Sequence, residues 1–115
     1  MNLRFMKFCE DILMSIDALS GFLSAVPDLA AYRSDRMLRR AVEREFEIIG
    51  EAMKQLLDEF PETKIPDSAR IIGLRNRIIH GYADIDDGTI WSIGKTRLDD
   101  LRSIIQNLME REEHA

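Results

Sequence analysis

This chain has little of what stabilises or activates many small proteins. It holds one cysteine, Cys9, so no disulfide can close within the chain and no cysteine-based zinc site can form. It holds three prolines, which leaves room for long helices. It has no excess of positive charge: the formal net charge is -5, against a broad electrostatic grip on nucleic acid. Any such contact must come from a local basic patch. No apolar run is long enough to cross a bilayer, and Arg4, Lys7, Glu10, Asp11 and Asp17 rule out a signal-peptide core. The expected compartment is the cytoplasm. No internal repeat, low-complexity tract or period-2 strand pattern is present. At 115 residues the chain is read as one domain, 1–115, with enough apolar residues (45%) for a core.

What is present is helical periodicity. Phe5, Phe8, Ile12, Ile16, Leu19 and Leu23 recur at threes and fours, which predicts an amphipathic helix over Leu3 to Ser24. Cys9 falls among these residues and reads as a small buried apolar side chain. Val26 to Tyr32 reads as a connector, with Ser34 or Asp35 capping the next helix. Leu38, Val42, Phe46, Ile49, Met53, Leu56 and Phe60 define that second helix, which stops before Pro61. Ala41, Ile48 and Ala52 add a second stripe, so two faces need covering, one of them plausibly by another copy of the chain. Asp67 or Ser68 caps a third helix that Gly81 ends. A fourth runs from about Thr89 to Glu110. The expected fold is all-α, a four-helix up-and-down bundle.

The chemistry concentrates in Arg75-Asn76-Arg77-Ile78-Ile79-His80-Gly81-Tyr82. Arginine grips phosphate, and histidine moves protons near neutral pH. The pattern points to phosphodiester chemistry. RNA cleavage by internal transesterification needs a base, an acid and a donor that stabilises the phosphorane. Arg75 suits the last role and His80 one of the first two. On one regular helix the two stand roughly 140° apart, whereas Asn76 and His80 share a face. Asn76 is therefore the candidate to hydrogen-bond the ring. A two-fold dimer would bring two Arg75–His80 pairs to one cleft. The structural reading, with His80 bonding a carbonyl near a helix end, stands beside the catalytic one.

Arg70 and Arg77 flank the motif and are the better candidates for phosphate contact. Arg33, Arg36, Arg40 and Arg44 form a row that suits either RNA or a solvated face paired with Glu43 and Glu47. Glu47 and Glu51 with His80 are too few for a convincing metal site, and none is expected. Trp91 reads as a core residue, or as a base-stacking one if exposed.

At these residues the chain resembles the HEPN superfamily, with its Arg, four to six residues, then His. It is similar to the HepT-like branch in its R-x4-H-x-Y form, here Arg75, His80 and Tyr82. The stretch Ala41 to Ala52 resembles the second helix of that family. Ile71-Ile72-Gly73-Leu74 and Ile90-Trp91 match as well, so the likeness spans about residues 8 to 108. The resemblance implies a bundle of HEPN type that dimerises through its helices. It implies a metal-independent endoribonuclease toxin with Arg75 and His80 as the catalytic pair, assisted by Asn76, needing no cofactor. It further implies a MntA-like nucleotidyltransferase antitoxin that silences the homodimer by adenylylating Tyr82. The alternative is a non-catalytic bundle that docks a nucleotidyltransferase or a nucleotide.

Overall fold

The computed structural model describes residues 1–81 and 85–115; the Tyr82 position lies outside them. The elements are α1 (Leu3–Ser24), α2 (Leu29–Ser34), α3 (Arg36–Glu59), α4 (Ser68–His80), α5 (Asp87–Thr96) and α6 (Leu98–Glu113), with no strand among the described residues. The architecture is all-α, as expected.

Side-chain oxygens satisfy the free N–H groups at several helix starts. Asn2 accepts from the Phe5 N–H at 3.0 Å, and Asp35 accepts from the Leu38 N–H at 2.9 Å. Asp35 rather than Ser34 therefore opens α3. At its other end α3 stops at Glu59, one residue short of the Phe60-Pro61 pair. Asp67 occupies the cap position of α4 without capping it. Its φ of 66° is left-handed, and its carboxylate pairs with Arg97 at 3.2 Å instead.

The helices alternate in direction. Phe5, near the start of α1, packs edge-on against Phe60, just past α3, with ring centroids 5.2 Å apart. At the far end of the chain, the Asn2 N–H donates to Glu112 of α6 at 2.9 Å. The order across the bundle is α4, α3, α1, α6, so α3 packs between α4 and α1, and α1 between α3 and α6. That arrangement explains the two apolar stripes of α3. Val42, Phe46, Ile49, Met53 and Leu56 are buried, and so is Ala52 of the second stripe. Ile12, Ile16 and Leu19 of α1 and Ile105 of α6 complete the centre, each fully buried. A side chain of this size contributes about 1.5–3 kcal/mol when removed from water. Cys9 is among the fully buried residues.

Two differences from the sequence expectation concern connections. The Val26–Tyr32 stretch runs into a short helix, α2, whose Tyr32 is fully buried against Trp91. Trp91 itself is half-buried, so it edges the core rather than filling it. The expected last helix is two helices, α5 and α6, meeting at Arg97. The Thr96 hydroxyl donates to the Ser92 carbonyl at 2.6 Å, a back-bond that bends helices, just before the break. Gly94 lets α5 approach Leu23 so closely that an added Cβ would lie 2.5 Å from Cδ1. No helix among the described residues is long and apolar enough to cross a membrane.

Candidate functional site

Arg75 to His80 of the motif occupy the second half of α4, which runs antiparallel to α3. Gly50 of α3 faces Arg75 of α4 at close range. A Cβ at position 50 would lie 2.3 Å from the Arg75 Cβ and 2.8 Å from its Cγ. A mid-helix glycine costs about 1 kcal/mol against alanine, and here that cost secures a close crossing. The arginine stem lies on the backbone of α3, and its head group reaches the next residue of that helix. Arg75 Nη2 donates to Glu51 Oε2 at 2.5 Å, and Nη1 donates to Asn76 Oδ1 at 3.0 Å. Glu51 is held in turn: its Oε1 accepts from Gln55 Nε2 at 2.8 Å. Three hydrogen bonds thus link Gln55, Glu51, Arg75 and Asn76.

Arg75 is half-buried, its side chain 22% exposed, in a groove of about 290 Å³ between α1, α3 and α4. Phe8, Ile48, Ala52 and Ile79 form the apolar walls. Asp11, Arg44, Glu47 and Glu51 supply charge, with one more carboxylate than the two arginines balance. A larger hollow, about 690 Å³, lies at the Phe5–Phe60 end of the bundle and contains no motif residue.

His80 is the last residue of α4 and is exposed. It does not line the groove. The Gly81 N–H closes the helix on the Arg77 carbonyl at 2.7 Å, with φ of -118°, so the glycine ends α4 without a left-handed turn. Because α4 is regular through His80, Arg75 and His80 point in different directions, as helical geometry requires. One chain does not bring them together. Asn76 corrects the sequence expectation: its amide oxygen binds Arg75, and no bond to the His80 ring is present among the described residues. The competing donor is the charged guanidinium beside it, which makes the stronger bond.

Arg70 and Arg77 are both exposed on α4. In the arginine row, Arg40 pairs with Glu43, a buried carboxylate, and Arg44 with Glu47, each at 3.0 Å, so two of its four arginines are paired within the helix. Glu47 and Glu51 are committed to arginines, and no group of three potential ligands gathers for a metal among the described residues. The residues that sequence reasoning missed are Gly50 and Gln55, and the role of Glu51. The available signal was a glycine in the middle of the most strongly patterned helix.

The ribonuclease HepT-like family model matches residues 12–108. A candidate RNase of Methanocaldococcus jannaschii is 38% identical over 90 residues, covering 76% of this chain and 81% of that protein. A candidate RNase of Caldanaerobacter subterraneus subsp. tengcongensis is 35% identical over 107 residues, covering 91% and 94%. A protein named as a candidate ribonuclease HepT in Thermococcus cleftensis is 29% identical over 105 residues, covering 88% and 92%. No solved structure matches the chain significantly.

Proposed function

We propose that this chain, which belongs to the ribonuclease HepT-like family, is a metal-independent endoribonuclease that works as a homodimer in the cytoplasm. The observation that carries this reading is the division of the motif. Arg75 is fixed in a groove, while His80 is exposed at the end of the same helix and faces elsewhere. A two-fold partner supplies the missing convergence by bringing both copies of Arg75 and His80 to one cleft.

In the proposed reaction one copy of His80 removes the proton from a ribose 2′-hydroxyl. The 2′-oxygen attacks the adjacent phosphorus, and the P–O5′ bond breaks. The leaving oxygen takes a proton from the second copy of His80. The products are a 2′,3′-cyclic phosphate and a 5′-hydroxyl end. Arg75 stabilises the charge that builds on the phosphorane oxygens. Asn76 acts through Arg75, and Arg70 and Arg77 hold flanking phosphates. We further propose a toxin role, restrained by a MntA-like nucleotidyltransferase. In that step the Tyr82 phenol oxygen attacks the α-phosphorus of ATP, pyrophosphate leaves, and the phenol proton is released. The added adenylate is a bulky anion that excludes RNA by charge and volume.

A second reading has an observation of its own. Arg75 is already paired with Glu51, which also suits a structural arginine in a non-catalytic docking bundle. One experiment separates the two. The protein is incubated with RNA in EDTA, alongside DNA of the same sequence and a His80→Ala variant. Cleavage of RNA alone, lost in the variant, supports the ribonuclease. Intact RNA with a folded dimer and no adenylate mass on Tyr82 overturns it.

A further inference from the structure

We infer that Glu51 is a positioning residue, whose carboxylate, braced by Gln55, fixes the plane in which the Arg75 guanidinium meets a phosphate. The inference deepens the ribonuclease reading and rests on it.

A guanidinium carries five N–H groups in a rigid plane. Glu51 takes one from Nη2 and Asn76 takes one from Nη1, so three carry no bond to a described residue. Two anchors on a planar group define its orientation; one would leave it free to pivot. Bidentate phosphate recognition depends on that orientation more than on charge alone. Glu51 can serve as an anchor because it is itself held. With one oxygen on Gln55 and the other on Arg75, its carboxylate has both ends engaged.

Stability does not account for the arrangement. The side chains of Arg75 and Glu51 are 22% and 44% exposed, and half-exposed ion pairs contribute little to folding. Arg40–Glu43, Arg44–Glu47 and Lys54–Asp58 are pairs along a single helix turn. Arg75–Glu51 instead bridges two helices, 24 residues apart in the chain, as Arg4–Glu59 and Arg102–Asp17 also do.

The pair has an electrostatic consequence of unusual sign. A carboxylate beside the phosphate site repels the substrate while it orients the group that stabilises the transition state. Removing its charge strengthens ground-state binding and weakens catalysis, a split that a merely structural residue does not produce. Glu51→Gln keeps the size and an acceptor oxygen but loses the charge. Gln55→Leu keeps the charge and releases the brace.

The test uses full-length dimer and a random-sequence, end-labelled RNA pool, with melting temperature and oligomeric state checked for each variant. For Glu51→Gln, apparent KM is expected to fall about threefold while kcat falls about 10²-fold, the loss typical of a misplaced catalytic group. For Gln55→Leu, kcat is expected to fall about tenfold with KM unchanged. A Glu51→Gln kcat within about threefold of wild type, or a rise in KM, overturns the inference. A second readout needs no cleavage. The Arg75 Nη signals in nitrogen-detected NMR should be resolved in the wild type and should merge in Glu51→Gln as the group rotates. Unchanged signals overturn the positioning role. Failure of a wild-type dimer carrying no adenylate on Tyr82 to cut any RNA, with the NMR change present, refutes the ribonuclease reading and leaves the geometry of Arg75 established.

Discussion

Replacing Gly50 with alanine would place a methyl group 2.3 Å from the Arg75 Cβ and 3.4 Å from the Ile71 carbonyl oxygen. Carbon atoms rest comfortably at about 3.5–4.0 Å, so the crossing must open by roughly 1 Å or more. Neither Cβ can rotate away, because both are fixed to helix backbones. Overpacking of this kind costs about 1–3 kcal/mol. The alanine also gains about 1 kcal/mol of helix propensity, which would mask part of the loss. Gly21→Ala cancels that term, since nothing lies within 4 Å of a Cβ at position 21, on the exposed side of α1. The informative quantity is therefore the difference between the two variants. It is expected to be about 1–3 kcal/mol, or about 4–12 °C in Tm for a chain of this length, with Gly50→Ala the lower. Circular dichroism melts measure it. In the RNA assay Gly50→Ala should lose about 10²-fold in cleavage, because the shift moves Arg75. Equal melting temperatures and unchanged cleavage would refute the close crossing and its role.

Tyr32→Phe should leave Tm unchanged or raised, because the fully buried hydroxyl has no partner among the described residues; a fall of more than about 1 kcal/mol would show that it is bonded. Burial pushes the Cys9 thiol up to about 12, so iodoacetamide at pH 8 should label the unfolded chain and spare the native one. The raised value also has a sign: its stabilisation is complete below the ordinary thiol range and is lost as pH rises towards about 12, so Cys9→Ala should flatten the alkaline fall in Tm. The Thr89 hydroxyl and the Thr89 and Gly88 N–H groups hold Asp86 below the usual carboxylate range. Its cap on α5 is thus intact above that range and lost as pH falls through the depressed value; Asp86→Ala should remove this acid-dependent loss of ellipticity, and an unchanged titration would contradict the cap.

Local physics made much of the bundle legible. The start and end of α1 and the stop of α3 before Pro61 follow from apolar spacing and from the loss of a backbone donor. The break at Arg97 did not, because it depends on the Thr96 back-bond and on how α5 meets Leu23. The α2 turn was equally hidden, as its burial of Tyr32 depends on Trp91, far along the chain. In the site, Arg75 and His80 are visible from residue type and spacing, and their divergence follows from the helical repeat alone. The partners of Arg75 required tertiary knowledge. Asn76 shares a helix face with His80, yet a neighbouring charge claims it. Glu51 stands out in sequence only as a weak metal-ligand candidate beside a glycine, with nothing that pairs it with Arg75.

The Gly50 crossing also restricts the register of the α3–α4 hairpin. Sliding one helix past the other by a turn, about 5.4 Å, would set the Arg75 stem against Phe46, Glu47, Met53 or Lys54. Each of these has a Cβ and a larger side chain where Gly50 has neither, so the helices could not close to the same distance. The neighbouring turns of α3 therefore reject the alternatives, and the helix pair locks at a single step. That step also delivers Glu51 to Arg75. A hairpin that folds one turn out of place is thus barred from assembling the arginine site.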